Sequence, residues 1–224
     1  MTTVILIRHA HSVANDKGIL AGRASGVALS KKGLIQATDL KDRLRNLSFK
    51  EIRMSPLERC EATLLPWMQA NKISRKSIVF DDDLSEIDYG KWTGKKLSVL
   101  ALKKEWRVVQ NTPSSMIFPG GESLANAQER ATRALMKSIK QAGNGSALIV
   151  SHGDVIKSII ATALELELDK FQKIVIDPAS ISVLNYSKNS FRILHLNDLS
   201  SNFEFLGKSR PNTRTLVGGG SGRS

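Results

Sequence analysis

Two continuous apolar runs, Val4–Ile7 and Ala147–Val150, set the architecture. A short apolar run without alternation reads as a strand buried on both faces of a parallel sheet. Phe49 to Met54 and Ile78 to Phe80 supply two further strands, and Ser180 to Tyr186 with Phe191 to Leu196 a hairpin turning at Lys188-Asn189. Helical spacing fills the gaps. Ser12 to Lys17 is a short helix or turn, and Gly18 to Ala28 is irregular. Ser30 caps a helix running through Leu34, Ala37, Leu40 and Leu44, with Lys31, Lys32, Lys41, Arg43 and Arg45 on its polar face. Pro56 opens the next helix at its first turn; Pro66 inside that helix should kink or shorten it. Glu122 to Gln141 is an amphipathic helix, and Val155 to Leu166 is the helix behind the Ala147–Val150 strand. Strands alternating with helices predict one three-layer α/β/α sandwich with a mainly parallel sheet.

Between Leu84 and Gly121 the pattern breaks down into scattered aromatics, glycines and prolines. A loop of that length in a compact domain is a candidate binding element, read here as a partly helical lid inserted at about 84–121. The domain is expected over 1–206 and a flexible, basic, glycine-rich tail over 207–224.

Composition narrows the function. Of 224 residues, 41% are hydrophobic, enough for a sizeable core. No apolar run approaches the ~20 residues of a membrane span, and Met1-Thr2-Thr3 does not resemble a signal peptide. Membrane partners are therefore not expected. A single cysteine, Cys60, excludes an internal disulfide and a multi-cysteine zinc site, and fits a reducing, cytoplasmic setting. The net charge of +12 suits an anionic small molecule; with 5% aromatics and no interleaved stacking platform, nucleic acid is not favoured. The oligomeric state is left open, a homo-oligomer included.

Candidate chemistry lies where strands end. The first strand delivers Arg8-His9, the strand at Ala147–Val150 delivers Ser151-His152-Gly153, and Ser55-Pro56 is followed by Arg59 one turn into a helix. In open α/β sheets, ligands bind outside the carboxyl ends of the strands. Each piece alone has a bland reading: a surface Arg-His pair, a structural histidine, a helix-face ion pair. Together, two arginines and two histidines at one rim are intolerable to a packed core unless they meet a dianion, and arginine forks match phosphate oxygens. His9 is then a competent nucleophile toward phosphorus. Its other ring nitrogen is expected to donate to a backbone carbonyl. Arg8 and Arg59 would disfavour its imidazolium form. Arg8, Arg59 and His152 would clamp the equatorial oxygens.

Ile7-Arg8-His9-Ala10, Ser55-Pro56-Leu57-Glu58-Arg59, Glu86 ahead of Tyr89-Gly90-Lys91-Trp92-Thr93-Gly94, Pro119-Gly120-Gly121-Glu122-Ser123 and Ser151-His152-Gly153 occur in the order and spacing of the histidine phosphatase superfamily, the phosphoglycerate mutase-like clan. The resemblance covers roughly residues 4 to 197 and is nearer the phosphatase and probable-phosphomutase branches than the glycolytic mutase. It implies that Glu86 protonates the leaving oxygen and then activates water. It matches Asn15 and Arg23 to phosphate-binding positions, with Ser12, Ser25 and Gly153 as further contacts. One departure is Ala10, where the family usually has glycine; it is tolerable if the backbone angles there admit a side chain.

The expected function is hydrolysis of a small phosphomonoester, a phosphorylated metabolite, through phosphohistidine on His9. A phosphomutase using the same intermediate is the alternative within enzymes. A non-catalytic phospholigand-binding protein is the alternative outside them; it would need neither the nucleophile nor the acid. Other phosphatase chemistries fit poorly: Cys60 lies in Arg59-Cys60-Glu61-Ala62-Thr63, not ahead of a phosphate loop, and Asp81-Asp82-Asp83 lacks the spacing of a metal-dependent aspartyl enzyme. Neither metal nor cofactor is expected. His11 and His195 are not expected to be catalytic, and Trp92 and Trp106 read as lid core.

Overall fold

The computed structural model describes residues 1–45 and 47–203. The expected tail at 207–224 lies outside the described residues. Six strands form one sheet: β1 (Thr2–Arg8), β2 (Glu51–Met54), β3 (Val79–Phe80), β4 (Ser146–Ser151), β5 (Ile181–Ser187) and β6 (Ser190–Asp198), in the order β3-β2-β4-β1-β5-β6. The first four run parallel; β5 pairs antiparallel with β1, and β6 antiparallel with β5. The sheet is therefore mainly parallel, as expected.

The apolar runs work on both faces. Val4 and Leu6 of β1 pack into one hydrophobic cluster with Leu135 and Ile159, while Ile5 and Ile7 pack into a second with Leu40 and Leu64. Successive strand side chains point to opposite faces, so four consecutive apolar residues fill two cores. One layer is α2 (Lys31–Leu44) and α3 (Glu58–Ala70). The other holds α6 (Leu124–Ala142) and α7 (Gly153–Ala163). Short helices α1 (Val13–Asp16), α4 (Leu97–Leu100) and α5 (Lys104–Asn111) lie in the connections.

Several local expectations change. Leu34, expected on the buried stripe of α2, is 58% exposed; Ala37, Leu40 and Leu44 carry the packing. Arg43 is not on a solvated face: its guanidinium bonds the carbonyls of Ala179, Asp198 and Ser201 and the Asp198 carboxylate. The second helix begins at Glu58 with Leu57 as cap, so Pro56 sits ahead of the first turn, and the helix runs past Pro66 to Ala70. Helix α6 begins at Leu124, capped by the Ser123 side chain rather than starting at Glu122. The hairpin turn is as expected: Lys188 and Asn189 both take positive φ, 52° and 58°.

Residues 84–121 are partly helical, but much of the segment is core rather than cover. Leu84, Ile87, Tyr89, Trp92, Leu100 and Phe118 are buried in the same cluster as α6 and α7. Trp92 stacks on Trp106 at 6.2 Å and meets Phe118 edge-on at 5.4 Å. Its two glycine motifs lie back to back. A Cβ on Gly90 would fall 2.4 Å from the Pro119 carbonyl oxygen, and one on Gly121 would fall 2.1 Å from that of Asp88. Only glycine permits that approach.

Candidate active site

Parallel register brings the candidate residues to one edge. Arg8 at the end of β1 is level with Ser151 of β4, and Met54 of β2 with Val150. The hydrogen bonds His9 N–H to Ser151 carbonyl (2.9 Å) and Ser55 N–H to Val150 carbonyl (3.0 Å) carry the alignment one residue beyond the strands. The rings of His9 and His152 lie 5.1 Å apart between centroids. The rim opens into a cavity of about 400 Å3 lined by Arg8, His9, Ser12, Asn15, Arg59 and Glu86, with Gly153 and Asp154 at the start of α7.

His9 is locked by its neighbours. Its Nδ1 lies 2.8 Å from the Ala10 carbonyl oxygen, which can only accept, so Nδ1 carries the proton and Nε2 keeps the lone pair. The Ala10 N–H donates to Thr63 Oγ1 at 2.8 Å, and Thr63 Oγ1 donates to the Arg59 carbonyl at 2.7 Å. One turn of α3 thereby fixes the nucleophile candidate and Arg59 relative to each other. Ala10 is fully buried against Leu29, Ala37 and Ala179, and its φ is not positive, so the methyl replaces glycine without strain. Burial, then Arg59 and Arg8, push the His9 pKa down to about 3. The guanidinium effect read from the sequence is present, second to desolvation.

Arg59 is 1% exposed. Its Nη2 donates to the Gly22 carbonyl at 2.8 Å and to His152 Nδ1 at 3.2 Å. Its Nε and Nη1, with Nε of Arg8, are buried without a hydrogen-bond partner. Arg8 is steered by its Nη1, which donates to the Ile176 carbonyl, and by Gly153, where a Cβ would press on the Arg8 guanidinium at 3.3 Å.

His152 is wholly buried beside the His9 ring, with both nitrogens engaged: Nδ1 accepts from Arg59, so Nε2 carries the proton and donates to Ser55 Oγ at 2.7 Å. In this arrangement it holds the Arg59 guanidinium beside the His9 ring. Burial and then the Arg59 charge push its pKa well below the ordinary histidine value, so it is neutral. Cys60 lies behind it, Sγ 3.6 Å from Nε2, with its thiol pushed up to about 12 by burial, unfit as a thiolate nucleophile.

Glu86 lines the same cavity and one carboxylate oxygen accepts from the Ile87 N–H at 2.9 Å. Burial first, and then the Asp154 charge, raise its pKa to about 7. Tyr89 donates its hydroxyl to Asp154 at 2.8 Å. The backbone of Glu86 is held by a buried arginine that the sequence did not single out. Arg130 donates to the carbonyls of Asp83, Ser85 and Glu86 and forks onto Glu122, which also accepts from the Asp88 N–H. Glu122 lay within a quoted motif; Arg130 read as an ordinary helix position.

The remaining candidates divide. Ser12 and Asn15 reach the cavity, but they also cap α1 reciprocally, Ser12 N–H to Asn15 Oδ1 at 2.9 Å and Asn15 N–H to Ser12 Oγ at 3.2 Å. Arg23 is off the cavity wall: it donates to the Glu86 carbonyl at 2.8 Å and to Glu122 at 2.9 Å. Ser25 is exposed and also off the wall. Asp81 pairs with Arg53, and Asp83 with Arg133 and Lys137, so two members of the acidic run are ion-paired. No cluster of metal-ligating side chains is present among the described residues.

A sandwich with two guanidinium groups, a neutral histidine and a carboxyl whose pKa is raised to about 7 at one sheet edge is the outline of a phosphate-handling enzyme. The sequence matches the histidine phosphatase superfamily (branch 1) over residues 4–199, and the chain belongs to that family. Phosphoserine phosphatase 1 of Hydrogenobacter thermophilus is 31% identical over 202 residues, 88% of this chain and 92% of that one. A probable phosphoglycerate mutase, GpmB, of Salmonella choleraesuis is 29% identical over 194 residues, 85% of this chain and 88% of the other. Among solved structures, Bacillus stearothermophilus YhfR superposes with a TM-score of 0.82 at 24% identity, covering 89% of this chain and 98% of its own.

Proposed function

We propose that the protein hydrolyses a small phosphomonoester in two steps, with His9 as nucleophile and Glu86 as acid and then base. The observation that carries this is the set of three buried guanidinium nitrogens without a hydrogen-bond partner, on Arg8 and Arg59, beside a histidine whose Nε2 is left unprotonated. Such donors match the three equatorial oxygens of a phosphoryl group in transfer. In the first step the Nε2 lone pair forms an N–P bond, the ester P–O bond breaks, and the leaving oxygen takes the Glu86 proton. In the second, water gives a proton to the Glu86 carboxylate, its oxygen bonds phosphorus, and the N–P bond breaks. Ser12, Asn15 and Gly153 line the phosphate end of the cavity. Arg23 acts at one remove, through the Glu86 backbone. His152 keeps Arg59 in place.

Hydrolysis of p-nitrophenyl phosphate tests the reading. His9→Ala should lower kcat by at least about three orders of magnitude, and acid-labile radiophosphate should appear on the wild type alone. Equal rates in wild type and variant would remove the catalytic claim. A phosphoenzyme that persists until a phosphate-accepting alcohol is added would instead favour the mutase.

A further inference from the structure

We propose that the substrate carries an apolar, ring-sized body, held in an annex of the catalytic cavity that the chemistry itself does not need. This rests on the phosphomonoesterase reading above. A second cavity of about 190 Å3 adjoins the first, sharing Leu20, Tyr89, Leu97, Asp154, Lys157 and Gln172 as walls. Beyond the junction its walls are mainly Trp92, Trp106, Val109, Phe118 and Leu124. An apolar cavity of about 150 Å3 is enough to hold benzene, so the annex has room for one ring.

The junction decides between an apolar and a charged occupant. Its polar groups engage one another: Tyr89 donates to Asp154 at 2.8 Å, and Lys157 reaches Asp154 at 3.2 Å and Gln172 at 3.1 Å. The Gln172 amide nitrogen donates onward to the Val109 carbonyl at 3.2 Å. These groups satisfy much of one another's capacity, and beyond them a carboxylate or ammonium head meets the apolar walls with Gln110 as the one polar side chain, where an unpaired buried charge is costly. A ring asks only for dispersion contact with the tryptophans and Phe118. The annex therefore disfavours zwitterionic and hydroxyacid phosphates and favours an arylalkyl phosphate.

2-Phenylethyl phosphate and ethyl phosphate have similar leaving alcohols, so their comparison isolates the ring. The ratio of their kcat/KM values should be at least about tenfold, with O-phosphoserine no better than ethyl phosphate. Val109→Phe, which fills the annex, should bring the ratio close to one. Gln110→Trp at an exposed position on the annex wall carries the same test if Val109→Phe lowers the melting temperature. A wild-type ratio near one, or a high ratio that both filling variants leave intact, overturns the proposal. If no ester is hydrolysed, the phosphatase reading fails on its own. Calorimetric binding of 2-phenylethyl and ethyl phosphonate, with the same expected ratio in dissociation constants, then decides the annex separately.

Discussion

Burial acts on His9 and Glu86 through the same physics with opposite chemical results: it favours the neutral form of each, which leaves the histidine a base and the carboxyl an acid. The pair therefore defines a window. Since kcat/KM follows the free enzyme, activity requires pH above about 3 for a neutral His9 and below about 7 for a protonated Glu86. Activity should fall as pH rises beyond that upper limit. Asp154→Asn removes the second cause of the raised carboxyl pKa and should move the alkaline limb to lower pH; substrate titration is common to both proteins and drops out of the comparison. An unmoved limb would mean that Asp154 does not tune Glu86. Stability follows separate signs. The stabilisation tied to protonated Glu86 is fully present below 4.5 and lost as pH rises through about 7, whereas the neutral His9 costs stability as pH falls from 6.5 toward about 3. Glu86→Gln should abolish the loss between pH 4.5 and about 7, read from urea midpoints across pH.

At the level of elements, the site depends on how helices dock against strand exits. The start of α2 lies directly on the segment after His9: Ser30 N–H donates to the His11 carbonyl at 2.9 Å, and His11 N–H to Gln36 at 2.9 Å. A Cβ at Gly33 would sit 1.9 Å from the His11 carbonyl oxygen, so Gly33→Ala must push the helix off that segment. Overpacking of this kind costs about 1–3 kcal/mol, and kcat should fall with it. Gly18→Ala is the contrast, since its Cβ would meet nothing and only its φ of +59° is strained. Equal urea midpoints for wild type and Gly33→Ala would refute the docking argument. These elements differ in how far the sequence discloses them. Strands β1 and β4 were legible because four apolar residues in a row serve two cores, and the convergence of Arg8, His9, Arg59 and His152 followed from parallel order. Arg43 and Arg130 were not legible: helical periodicity places an arginine on a polar face, but cannot show that Asp198 or Glu122 folds back to meet it. The engaged nitrogens of His152 depend on Ser55, distant in sequence. The same long-range closure makes 84–121 read as an irregular lid although Leu84, Ile87, Tyr89 and Phe118 belong to the main core.

The whole molecule carries two populations of positive charge. Arg8 and Arg59 line the catalytic cavity, where salt screens weakly; most of the net +12 lies elsewhere. Lys91, Lys95, Lys96, Lys104 and Arg107 are exposed along the segment that carries Leu97 to the cavity wall, with Glu105 the one acidic residue between Lys91 and Arg107. A field of one sign beside a cleft concentrates an oppositely charged substrate at its mouth. The Debye length shrinks from about 10 Å at 0.1 M to about 3 Å at 1 M salt. Raising ionic strength should therefore increase KM for a phosphomonoester dianion several-fold while leaving kcat nearly constant, because buried donors stabilise the transferring phosphoryl group and surface lysines only gather the substrate. Lys95→Glu with Lys96→Glu should flatten the salt dependence of kcat/KM and lower its low-salt value. A salt response confined to kcat, or one identical in the charge-reversed protein, would show that the surface cations take no part in capture.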